Sequence, residues 1–114
     1  TTAASASAGT FGSLSEVCGP GSASGATNKG VTDTEITIGY GDDAGFSGSP
    51  GLNKQMSEAV AAMIEWCNDQ GGVNGRTVVG NYYDAKILEA NNAMLEACTE
   101  VFMLVGQGFA LFDA

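Results

Sequence analysis

The apolar positions along the chain change their period several times, and each change marks an element. In Ile36-Thr37-Ile38-Gly39-Tyr40, Ile36 and Ile38 share one face and Thr37 and Gly39 the other. That two-residue alternation predicts a strand over 36–40. From Leu52 the repeat lengthens. Leu52, Met56, Ala59, Val60, Met63, Ile64 and Cys67 fall at offsets 0, 4, 7, 8, 11, 12 and 15. This single stripe of period 3.6 predicts an amphipathic helix over 52–70. Lys54, Ser57, Glu58, Glu65 and Asp69 lie away from the stripe. Ser49-Pro50 suits the N-cap and the first helical position, and Gly71-Gly72 supplies a positive-φ stop.

A second strand is predicted over 76–83. It ends at Asp84, a good N-cap for a second helix. In that helix Ile87, Leu88, Asn91, Met94, Leu95 and Cys98 form the apolar stripe, with Glu89, Asn92, Glu96 and Glu100 on the wet side. Phe102-Met103-Leu104-Val105 reads as a third, fully buried strand. Residues 1–30 are mostly Ala, Ser, Thr and Gly, too poor in apolar surface to offset their ordering entropy. They are expected to form a flexible leader, with Phe11, Leu14, Val17 and Cys18 as its only anchors. The order strand, helix, strand, helix, strand predicts an α/β fold with a parallel sheet and flanking helices. Three strands make a poor free-standing sheet, so 31–114 is expected to be a partial α/β lobe, truncated at its C-terminal end.

Composition narrows the chemistry. The 114 residues carry four Lys and Arg, no His, and a formal charge of −9. Nucleic-acid backbones need clustered cations, so neither nucleic acid nor an anionic membrane surface is expected as a partner. No apolar run approaches the ~20 residues of a transmembrane helix. The three cysteines, Cys18, Cys67 and Cys98, form no CxxC pair. Without His they suit neither a zinc site nor an activated thiol nucleophile. They leave one disulfide plus one other thiol, or three buried thiols. The loop 41–51 is glycine-rich but lacks the Gly-Lys-Ser/Thr ending of a phosphate-binding loop. No enzyme, metal or cofactor is expected.

One family resemblance emerges from the order and spacing of several segments. They are Gly30-Val31-Thr32-Asp33-Thr34-Glu35-Ile36-Thr37-Ile38-Gly39, a Gly/Ser loop, Trp66-Cys67-Asn68-Asp69-Gln70-Gly71-Gly72-Val73-Asn74-Gly75-Arg76, Tyr83-Asp84, and Phe102-Met103-Leu104-Val105-Gly106. Together they resemble the start of a type I periplasmic solute-binding protein, the receptor family of ABC importers for branched-chain amino acids and amides. Cys18-Gly19-Pro20-Gly21 and Trp66-Cys67 are similar to its actinobacterial branch. The resemblance implies an extracytoplasmic protein of two hinged lobes, of which this chain is the first half of lobe one. It implies strand order 2-1-3, a small-molecule solute caught in the interlobe cleft, and an ABC transporter permease as partner of the full-length protein. Membrane contact is expected only through a lipid tether. Right-handed crossovers in that order put the two helices on opposite faces of the sheet. That disfavours a Cys67–Cys98 bridge and leaves Cys18 with Cys67 or Cys98.

In open parallel sheets ligands bind beyond the carboxyl ends of the strands. In the family, the loops after the first and third strands face the cleft. The candidates there are Asp42 or Asp43 as ammonium partners, Ser47, Ser49, Gln107 and the Gly108 backbone as donors, and Phe46 and Phe109 as aromatic contacts. The plain alternative is that Asp42, Asp43 and the serines only build turns and cap the helix. Gln107-Gly108-Phe109-Ala110-Leu111-Phe112 replaces the Ser/Thr-rich stretch that amino-acid receptors of the family often carry after the third strand, which argues against an amino-acid ligand and allows a less polar or aromatic solute. A second reading is a phospho-receiver domain holding Mg²⁺ on Asp42, Asp43 and Asp84. It fits less well, because Gln107 stands where the phosphoacceptor belongs and no late Lys follows. The Met residues read as core filler and Trp66 as a packing anchor. Arg76 reads as a surface or salt-bridge residue, and one of Tyr82 and Tyr83 is expected in the core.

Overall fold

The computed structural model of the chain describes residues 8–111; Phe112, named above beside the candidate loop, lies outside them. Five elements follow in order: β1 (Glu35–Asp42), α1 (Lys54–Asp69), β2 (Thr77–Asp84), α2 (Ala90–Glu100) and β3 (Met103–Leu104). The three strands form one parallel sheet in the order β2-β1-β3. This is the expected α/β architecture and strand order.

β1 runs to Asp42, two residues beyond the expected end. Its ladder with β2 holds from Glu35↔Thr77 to Asp42↔Asp84. Gly41 and Asp42 are weak strand formers, but pairing to a neighbour outweighs their preference. Gly41 also has to be glycine: a Cβ there would lie 2.0 Å from the Tyr83 carbonyl oxygen and 2.9 Å from the Phe109 ring.

α1 starts at Lys54, later than Ser49-Pro50 predicts. Residues 43–52 instead form successive turns, with Phe46, Ser49 and Leu52 amides donating to the carbonyls of Asp43, Phe46 and Ser49. Gly51 (φ 83°) and Asn53 (φ 60°) are left-handed, so the helical geometry cannot begin before them. At the other end Gly71 and Gly72 have φ 115° and 78°, and their amides close on the Asn68 and Cys67 carbonyls. That is the predicted stop.

The buried line of α1 is turned from the expected stripe. Ser57 and Cys67 are buried and Val60, Ile64 and Asn68 half-buried, whereas Met56 and Met63 are exposed. Ser57, away from the expected stripe, faces the sheet because Asp42 offers it a hydrogen bond there. Asn68 is locked to the β2 backbone: its Nδ2 donates to the Val78 carbonyl and its Oδ1 accepts from the Val78 amide, both at 2.8 Å.

The second helix differs more. Asp84 ends β2 rather than capping a helix, and α2 begins at Ala90 after a loop in which Lys86 and Ile87 take φ 47° and 64°. The buried face of α2 is Ala93 and Ala97, while Leu88, Leu95 and Cys98 are exposed. Two methyl-sized residues let the helix lie close over Tyr83, Ala85 and Val101, with Leu104 and Phe109 packed against the cluster. β3 is also not the buried strand expected. Among the described residues it pairs only with β1, through Ile38↔Met103 and Gly39↔Leu104, and Phe102 and Met103 are about half exposed. An edge strand has one neighbour and cannot be enclosed.

The second cluster lies on the other face of the sheet: Cys18, Cys67 and Val78, joined by Ile38, Ile64, Trp66 and Val73. Cys18 and Cys67 form a disulfide across 5.2 Å of Cα separation, and Cys98 is a free thiol. The N-terminal stretch is thus held in place from residue 9 onward. Gly9 donates to Gln70 Oε1, the Phe11 ring meets the Trp66 ring edge-on at 5.9 Å, and Gly19 exchanges backbone hydrogen bonds with Gly72 and Gly75. Leu14 and Val17, expected anchors, are exposed. Arg76 clamps the same region through two backbone carbonyls, Thr32 from Nε and Gly25 from Nη2, rather than through an acid.

Candidate functional site

The carboxyl ends of the strands carry three loops: 43–53 after β1, 85–89 after β2 and 105–111 after β3. One buried aspartate, Asp43, ties them together, and its buried neighbour Asp42 braces the end of β1 against α1 and β2. Successive strand residues point to opposite faces, so neighbouring Asp42 and Asp43 part company at the end of β1.

Asp42, 1% exposed, turns to the α1 face. Its Oδ1 accepts from the Ala44 amide at 2.9 Å and from the Tyr82 hydroxyl at 2.6 Å, and its Oδ2 from the Ser57 hydroxyl at 2.5 Å. Asp43, fully buried, turns to the α2 side. Its Oδ1 accepts from the Ile87 amide and its Oδ2 from the Ala110 amide, both at 2.6 Å. One carboxylate thus joins the first loop to the other two. A further clasp joins the first and third loops: Asn53 Nδ2 donates to the Gly108 carbonyl at 2.5 Å, and the Gly108 amide to the Gly41 carbonyl at 2.9 Å.

These bonds redistribute the expected roles. Asp42 and Asp43 are internal braces, since each oxygen already accepts a donor from the chain and neither residue reaches solvent. Gly108 spends its backbone on Asn53 and Gly41, and Phe109 is half-buried against the α2 cluster. What the end of the sheet presents outward is Ser47 and Ser49, exposed on the first loop, with half-buried Phe46 and Gln107. Asp84, half-buried, accepts from the Lys86 amide. The Mg²⁺ arrangement needs three converging carboxylates, but only Asp42 and Asp84 share a face. Among the described residues no group of three or more His, Cys, Asp or Glu side chains is placed to hold a metal ion.

Three participants escape a reading of the sequence: Ser57, Asn53 and Asn68. Each is a polar residue whose partner lies 10 to 55 positions away, so no local spacing announces it. Tyr82 and Tyr83 do divide as alternation predicts. Tyr83 is buried and donates to Glu100 Oε2 at 2.8 Å. Tyr82 is half exposed, its hydroxyl on Asp42. Burial, then the hydrogen bond to Asp42 and the charges of Asp42 and Asp84, hold the Tyr82 phenol well above its ordinary pKa. Burial and the bond to Glu100 raise that of Tyr83.

No protein-family model matches the chain, no curated protein is similar to it, and no solved structure matches it. Among the described residues no helix is long and apolar enough to cross a membrane.

Proposed function

We propose that this chain is the amino-terminal part of an extracytoplasmic solute-binding protein that delivers a small solute to an ABC importer. The observation that carries the reading is the joining of the first and third strand-end loops through Gly41, Asn53 and Gly108. It makes one preorganised rim from loops of different elements, at the end of a parallel sheet where ligands bind. Ser47, Ser49 and Gln107 supply neutral donors for a carboxylate or amide, and Phe46 an apolar contact. Capture is reversible, by closure of a second lobe over this rim, and involves no covalent chemistry. In this reading an ammonium partner comes from the second lobe, since the oxygens of buried Asp42 and Asp43 already accept hydrogen bonds.

Reading the coding region beyond codon 114 tests the proposal. Continued α/β alternation with a crossing between two lobes is the expected result, and a stop at codon 115 overturns it. In the longer protein, Ser47→Ala with Ser49→Ala should weaken solute binding by about tenfold, as loss of one or two hydrogen bonds to a charged group implies.

A further inference from the structure

On the α1 face of the sheet, Tyr40 and Tyr82 stand opposite one another in the ladder, ring centroids 5.9 Å apart and planes inclined by 58°. Neither ring is loose. Tyr82 is tied by its hydroxyl to Asp42, itself held by Ser57 and the Ala44 amide. Tyr40 lies over Gly80, where a Cβ would come within 2.8 Å of its ring. With Ala44, Ala61, Lys54 and Glu58 the two rings border an open depression of about 220 Å³. That is below the ~300 Å³ at which sites for whole drug-sized molecules begin, and so suits a single head group.

The surroundings are negative. Asp42 and Asp84 both act on the Tyr82 hydroxyl, and Glu58 stands at the rim. The cation lining the depression, Lys54, is held by Glu58 at 3.2 Å in a pair whose side chains are each 59% exposed. Such exposed pairs exchange readily. Tyrosine faces attract cations through the ring quadrupole, and the chain's charge of −9 favours their approach.

We propose that this depression binds an organic cation the size of a guanidinium or tetraalkylammonium group. The rings of Tyr40 and Tyr82 receive its charge, and Glu58 exchanges Lys54 for it. The site lies on the α1 face of the sheet and takes from the first loop only Ala44, none of Phe46, Ser47, Ser49 or Gln107, so it stands or falls independently of the solute reading.

Aromatic proton resonances of the oxidised 114-residue chain provide the test, titrated with tetramethylammonium or methylguanidinium chloride against tert-butanol and NaCl. The expected result is saturable shifts of the Tyr40 and Tyr82 rings with either organic cation only, leaving Tyr83 unmoved. Tyr82→Leu should weaken binding about threefold. Glu58→Gln, an exposed change that spares the fold, should weaken it by a similar factor. A blocked arginine amide matching methylguanidinium would assign the site to peptide side chains, and a much weaker one to free small cations; both outcomes support a cation site. Equal shifts with tert-butanol or NaCl, or an affinity unmoved by Glu58→Gln in a folded variant, would overturn it.

Discussion

Asp42 and Asp43 are chemically identical neighbours, but their partners make them respond differently to the same change. Asp43 faces two backbone amides, which cannot turn round. In Asp43→Asn one oxygen becomes an NH₂ group set against an N–H, leaving two donors without an acceptor at a buried side chain. The expected cost is about 2–3 kcal/mol. At Asp42 the Oδ2 partner is the Ser57 hydroxyl, which can reverse and accept from an amide. Asp42→Asn should therefore cost about 1 kcal/mol. Urea denaturation of both variants checks the order, and equal losses would contradict it. Tyr82 adds a pH dependence. Its folded-state pKa is raised above the ordinary value near 10, so the folded chain keeps the phenol proton where the unfolded chain has released it. The stability from this group is fully present below pH ~10 and is lost as pH climbs beyond. The stability gap between wild type and Tyr82→Phe should accordingly shrink above pH ~10, as urea melts at pH 8 and 10.5 would show.

Among the elements, legibility followed how much of each pattern rests on large side chains. The helix predicted over 52–70 was readable because seven apolar residues share one stripe and two glycines end it. Its rotation was not, since it depends on Ser57 meeting Asp42 and Asn68 meeting Val78 across the fold. The second helix misleads for a simpler reason: its packing face is alanine. A reading that looks for bulk assigns Leu88, Leu95 and Cys98 inward, when close approach to Tyr83 requires the smallest side chains there. Ala97→Leu should then cost about 1–3 kcal/mol through overpacking, while Leu95→Ala, at a position 68% exposed, should stay within about 0.5 kcal/mol. Thermal melts of the pair distinguish the observed helix face from the expected one. At the candidate site, alternation along β2 was enough to separate Tyr82 from Tyr83. The inward commitment of Asp42, Asp43 and Gly108 was hidden, because it depends on the amides of Ile87 and Ala110 and on the Asn53 side chain.

The whole molecule is a slab of 48 × 42 × 19 Å with a radius of gyration of 16.1 Å, against roughly 13 Å for a compact chain of this length. It exposes 7034 Å², where a compact monomer of its mass exposes roughly 5,800 Å². A thin body with little interior depends heavily on its cross-link. The Cys18–Cys67 bridge spans 49 residues, and the loop-entropy relation puts the stabilisation from closing such a loop at about 4 kcal/mol. Reduction should lower the urea midpoint by the equivalent of about 2–4 kcal/mol and release residues 9–23 to proteolysis. Protection unchanged by reductant would show that the Phe11–Trp66 contact and the Gly19 bonds suffice.

The two hydrogen bonds from Asn68 to Val78 have a consequence for how this sheet meets other chains. β2 is an outer strand that opens with the β-branched run Thr77-Val78-Val79, and open strand edges are templates for further pairing. By occupying both the amide and the carbonyl of Val78, Asn68 plugs the template at its most fibril-prone end. Asn68→Ala would leave the monomer's secondary structure unchanged while freeing the amide and carbonyl of Val78. The variant should form thioflavin-binding aggregates at concentrations where the parent chain stays clear. An amide on the helix thus acts as a guard against self-assembly, a duty written nowhere in the strand it protects.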